Sequence, residues 1–134
     1  MKAVIDTNVI VYDTFEDSVF HQEAMQLLDR IDVWVIPTIV IHEYVWVLKS
    51  LKVDVKEIKY KVEEYLNHYK TKMVSENKQI VLSALERIVG GGLSLSRYND
   101  ELILAVAGRE KISLATFDER LRRQARARGV EVIP

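Results

Sequence analysis

A chain of 134 residues, 49% hydrophobic and 29% charged, carries enough apolar material for a core of its own and is neither disordered nor fibrous in character. Its formal net charge of −1 gives no overall attraction to nucleic acid, so such a partner would have to meet a local basic patch. The absence of cysteine excludes disulfides, thiolate metal sites and a cysteine nucleophile, and leaves oxygen or imidazole to hold any metal.

In chain order, Lys2 to Ile5 read as a strand, with Asp6-Thr7-Asn8 behind it as turn or cap types opening a loop. Apolar residues at helical spacing (Phe20, Ala24, Leu27, Leu28, Ile31) predict a helix from Val19 to Ile31, and Val33 to Ile36 predict a second strand. Pro37-Thr38 breaks that strand and offers a cap for a helix from Ile39 to Leu51. The run from Val33 to Leu48 contains Pro37, His42 and Glu43, so it is no membrane span. Val55 to Tyr69 reads as a charged amphipathic helix and Met73-Val74 as a short strand; Ser75 caps a further helix that ends at Gly90-Gly91-Gly92. A helix then starts at Asn99 or Asp100 and runs to about Arg109. Ile112 to Phe117 form a strand, Asp118 caps a last helix to about Arg128, Gly129 stops it, and Val130 to Ile133 form the final strand. Strands alternating with helices predict one domain over residues 1–134, an α/β fold with a parallel sheet covered on both faces. The start of the chain lacks the zones of a signal peptide, which predicts a cytoplasmic protein.

Four acids stand out. In an open parallel sheet, ligands gather beyond the carboxyl ends of the strands, and Asp6 and Asp118 each directly follow an apolar run, KAVI and ISLATF. Helix capping is an equal alternative for either one alone. Glu43 lies on the shoulder of an apolar helical stripe, away from the wetter face of His42, Trp46 and Lys49, and so needs a partner; a salt bridge would serve. Asp100 shares a face with Ile103, Leu104 and Ala107, and points more directly along the core-facing stripe than Glu101 does. If these four meet, they repel one another unless protonated or neutralised, and an all-oxygen set favours Mg²⁺ or Mn²⁺.

At these positions the sequence resembles the PIN-domain family, especially its small single-domain ribonucleases of the VapC toxin type. The motifs are VIDTNVIV with Asp6, PTIVIHEYVWVL with Glu43, NDELILAVA with Asp100 and LATFDERL with Asp118, and they extend over nearly the whole chain. The resemblance implies a three-layer α/β/α sandwich whose acidic pocket binds Mg²⁺ or Mn²⁺ and hydrolyses phosphodiester bonds, usually in RNA, together with a homodimer and, in toxin-type relatives, an antitoxin segment that blocks the pocket. It implies that Asp6 anchors the metal, that Asp100 and Asp118 complete its shell, that Glu43 orients water or assists a second ion, and that Asn8 and Thr116 support the pocket. One departure is Leu121, where an aromatic often follows the last acid by three residues; it weakens any role for Glu119 as a fifth acid.

The expected reaction is attack by a metal-activated water on a phosphodiester. His21, His42 and His68 show no ligand spacing and read as structural or exposed. Arg120, Arg122, Arg123, Arg126 and Arg128 on the last helix are RNA-backbone candidates, equally well explained as a solvated face complementing the helix dipole. Tyr12, Phe15, Phe20, Trp46, Tyr65 and Tyr69 can stack bases but fit core or dimer contacts better. Two competing readings are a phosphatase forming a phospho-aspartate at Asp6, which lacks the second Asp and the Lys such enzymes use, and an RNA-binding module without turnover.

Overall fold

The computed structural model describes residues 1–134. Five strands, β1 (Lys2–Ile5), β2 (Val33–Pro37), β3 (Thr71–Val74), β4 (Ser113–Ala115) and β5 (Val132–Ile133), form one sheet in the order β3-β2-β1-β4-β5. Every neighbouring pair is parallel. The helices are α1 (Thr7–Thr14), α2 (His21–Arg30), α3 (Thr38–Ser50), α4 (Val55–Leu66), α5 (Lys78–Gly90), α6 (Tyr98–Glu110) and α7 (Glu119–Ala127). Parallel strands need such crossovers, which cover both faces of the sheet, and the result is the three-layer α/β/α sandwich. Ala3, Val4 and Ile5 of the central strand are fully buried, and Ile103, Leu104 and Ala107 of α6 belong to the same core. No helix is long and apolar enough to cross a membrane.

Several boundaries differ from the sequence reading. The largest difference is α1, which begins immediately after Asp6 where a loop was expected. The run NVIVY is rich in branched residues that disfavour helix, but the Asp6 carboxylate caps the Thr7 N–H and Val9 and Ile10 are fully buried, so capping and packing override propensity. Asn77, not Ser75, caps α5, through Oδ1 accepting from Ile80 N at 2.9 Å. Residues 75 and 76 still belong to the connection from β3, and Glu76 there accepts from the N–H of Ile39 at the start of α3. A 3₁₀ turn, Leu95–Arg97, leads directly into α6, so that helix starts at Tyr98, while α4 ends at Leu66 rather than Tyr69. Gly129 takes a left-handed conformation (φ 75°) just past α7, as a helix stop requires, and shortens the final strand to Val132–Ile133.

Candidate active site

The sheet reverses direction at β1: β2 and β3 were added on one side, β4 and β5 on the other. At such a switch point the connections on either side diverge and leave a crevice beyond the carboxyl ends of the two central strands. Asp6 follows β1 and Asp118 lies three residues past β4, whose partner register joins Ile5 to Ala115. The Asp6 N–H donates to the Ala115 carbonyl at 3.0 Å, so the pairing runs up to the acid itself.

Thr116 fastens the two strand ends together. Its fully buried hydroxyl donates to Asp6 Oδ2 at 2.7 Å and accepts from the Asp118 N–H at 3.1 Å and from Asn8 Nδ2 at 3.3 Å, which uses its one proton and both lone pairs. Asn8 Oδ1 accepts in turn from the Phe117 N–H at 3.2 Å. Asp6 Oδ1 accepts from the Thr7 N–H at 2.8 Å, and Asp118 Oδ1 accepts from the N–H groups of Arg120 and Leu121. Both acids are therefore helix caps and cavity residues at once; the two explanations do not compete.

Glu43, half-buried on α3, has no basic partner. Its Oε1 accepts from the Thr7 hydroxyl at 2.6 Å and its Oε2 from Asn99 Nδ2 at 3.2 Å. Thr7 and Asn99 escaped the sequence reading; their only signal is that each adjoins an acid, Asp6 or Asp100. Asp100, in the first turn of α6, has Arg97 Nε 3.6 Å from its Oδ2, and Arg97 Nη2 donates to Gln124 of α7. Glu101 points elsewhere: it is fully buried and accepts from Arg128 Nη2 at 2.5 Å.

Asp6, Glu43, Asp100 and Asp118 line one cavity of about 310 Å³, together with Thr7, Asn8, Val11, Tyr12 and Val47. Loss of water pushes the Asp6 carboxyl up to about 7, against the hydrogen bonds from Thr116 and the Thr7 N–H, and the charges of Glu43 and Asp100 push it the same way. Asp100 is also raised, chiefly by burial and then by Asp118, with Arg97 opposing and Glu43 and Arg120 contributing less. As they stand, no three acidic or imidazole side chains in the molecule are arranged to hold a metal ion. Each acid is instead engaged by its own neighbours, through the hydrogen bonds and the ion pair just described. The donor set nevertheless suits a hard divalent cation: it is all oxygen, and a buried carboxyl raised to about 7 beside two other carboxylates lacks the positive charge that would let it ionise freely.

The last helix divides its arginines. Arg120, Arg123 and Arg126 are exposed, whereas Arg122 turns inward and donates to the carbonyls of Thr116 (3.0 Å) and Pro134 (2.8 Å). Beside the cavity, Phe20 stacks on Phe117 with centroids 5.2 Å apart, and Tyr12 meets both rings edge-on. No histidine lines the cavity. His21 Nδ1 lies 2.9 Å from the Tyr12 carbonyl, His68 stacks on Trp34 with centroids 4.1 Å apart, and His42 is exposed.

A family model of the PIN domain matches residues 3–127. No curated protein matches the chain in sequence. Among solved structures, VapC20 of Mycobacterium tuberculosis, a sarcin-ricin loop cleaving toxin, superposes with a TM-score of 0.80 at 19% identity, over 98% of this chain and 99% of that one. VapBC2 of Rickettsia felis, bound to a DNA fragment from its promoter, gives 0.71 at 19% identity over 99% and 98%. A toxin-antitoxin complex from Klebsiella pneumoniae gives 0.68 at 18% identity over 98% and 96%. At these identities the likeness is one of fold.

Proposed function

This chain belongs to the PIN-domain family, and from that premise we propose that its acidic cavity is the centre of a divalent-metal-dependent ribonuclease, the toxin of a toxin-antitoxin pair. The observation that carries the proposal is the meeting of four carboxylates on one cavity with the most buried of them, Asp6, raised to about 7. Asp6, Asp100 and Asp118 would hold Mg²⁺ or Mn²⁺. When bound, the cation supplies a nucleophilic water at neutral pH and offsets the charge that builds on the phosphoryl oxygens.

The chain's own residues position and neutralise. Thr116 and the Thr7 N–H fix both oxygens of Asp6, and Thr7 and Asn99 fix Glu43 so that its carboxylate can orient water. Arg120, close enough to lower the Asp100 carboxyl, is placed to meet a backbone phosphate, with Arg123 and Arg126 extending the contact. Tyr12 in the cavity wall, backed by Phe20 and Phe117, offers a face on which an unpaired base can stack. The named relatives that are toxin-antitoxin complexes support an antitoxin as the protein partner; a homodimer acting in the cytoplasm completes the reading.

The decisive experiment is degradation of a labelled single-stranded RNA with Mg²⁺ or Mn²⁺, with and without EDTA, by the wild-type chain and Asp6→Asn. We expect cleavage that needs the cation and is abolished in the variant together with most cation binding; full activity in Asp6→Asn overturns the assignment.

A further inference from the structure

A second hollow, of about 420 Å³ and sharing no residue with the acidic cavity, lies between α5, α6 and the turn after α7. Three guanidinium groups, Arg87, Arg109 and Arg128, line it against a single carboxylate, Glu101. Arg128 is bound by Glu101, but the exposed Arg87 and Arg109 form no ion pair, although Glu86 and Glu110 adjoin them in the chain. Glu101 is fully buried, and only its Oε1 is engaged; Oε2 has no hydrogen-bond partner. A buried carboxylate oxygen left without a donor is costly, so the wall of this hollow holds an unmet acceptor. Ile80 and Leu104 supply an apolar side, and a Cβ placed on Gly108 would meet nothing within 4 Å, so the space over that helix turn is open.

We propose that this hollow binds a small phosphorylated ligand of nucleotide size. Arg87 and Arg109 at the mouth hold its phosphate, a task for which the planar guanidinium fork is suited. The body of the ligand packs on Ile80 and Leu104, and a hydroxyl or amino group of its sugar or base donates toward Glu101. A volume of about 420 Å³ falls in the range of small-molecule sites. Inorganic phosphate alone would satisfy the arginines but leave the apolar side bare and the acceptor unmet, which is why the ligand carries more than an anion.

Calorimetric titration of the full chain in EDTA with AMP, GMP, adenosine and inorganic phosphate tests the proposal. A nucleoside monophosphate is expected to bind saturably, and both adenosine and inorganic phosphate at least about tenfold more weakly. Replacing Arg87 and Arg109 together by Ala, both exposed and so without cost to the fold, should weaken the nucleotide at least about tenfold, as judged on protein with an unchanged circular dichroism spectrum. Asp6→Asn should leave its affinity unaltered. The proposal is overturned by the absence of saturable nucleotide binding at millimolar concentration, by inorganic phosphate binding as tightly as the nucleotides, by affinity that survives the double substitution, or by affinity that disappears in Asp6→Asn. It does not rest on the nuclease reading, since EDTA silences that activity.

Discussion

Asp6 keeps its proton to about pH 7 inside the fold, whereas the unfolded chain releases it near the ordinary value of 3.8. Between those values the native protein holds more protons than the unfolded one. The protonated acid's contribution to stability is thus fully present below about pH 4 and is lost as pH rises to about 7, by on the order of 4 kcal/mol. Urea unfolding of metal-free protein across this window should show wild type weakening relative to Asp6→Asn as pH rises; parallel curves for the two would refute the shift. Thr116→Val removes the donor to Asp6 and the acceptor for Asn8 and the Asp118 N–H, and should cost about 1–3 kcal/mol while moving the Asp6 titration, followed by carboxyl NMR, still higher. At this scale the sequence was informative wherever helical phase decides the outcome: Asp100 lines the cavity and Glu101 faces away from it. Phase could not reveal what Glu101 meets instead, because Arg128 lies 27 residues further along the chain and only the fold brings it close. Nor could it reveal that Thr7 and Asn99, one from each of two helices, both close on Glu43.

Helix α1 shows where local pattern misleads. Eight residues containing four consecutive apolar or aromatic side chains, Val9 to Tyr12, have no amphipathic rhythm, because Val9 and Ile10 face the core and Val11 and Tyr12 face the cavity. Both sides of that helix are spoken for, so periodicity vanishes while the helix remains. In α7 the opposite holds: arginines crowd the sequence, and only Leu121 and Ala125 are buried, yet the exposed-looking Arg122 is a strut. Arg122→Ala frees the carbonyls of Thr116 and Pro134 and should lower stability by about 1–3 kcal/mol, against no more than about 0.5 kcal/mol for the exposed Arg123→Ala, as thermal or urea unfolding will tell. Conversely, Ala at Arg120, Arg123 and Arg126 together should flatten the salt dependence of RNA binding, whereas an unchanged slope would remove that helix from the RNA path.

Across the whole molecule, alternation of strand and helix was enough to predict a parallel, covered sheet, but not its order, since nothing in a strand's own residues states which strand it will lie beside. The order matters because it places the ends of β1 and β4 side by side and thereby makes the acidic cavity. Bringing four carboxylates there works against folding until a cation joins them, so Mn²⁺ at about a hundred times its dissociation constant should stabilise the wild type by about 2.7 kcal/mol and Asp6→Asn hardly at all. Calorimetric melting at fixed pH measures the difference. The pairing of Ala3 with Ser113 also spans 110 residues. A chain emerging from the ribosome begins with Asp6 and ends with Asp118 and β5, so its earliest part waits, with the central strand open on one side, for nearly its last. Synthesis itself thus delays the assembly of the acid cluster: a nascent chain holds at most three of the four acids until residue 118 has emerged, and a truncated product that stops short of it is harmless by construction.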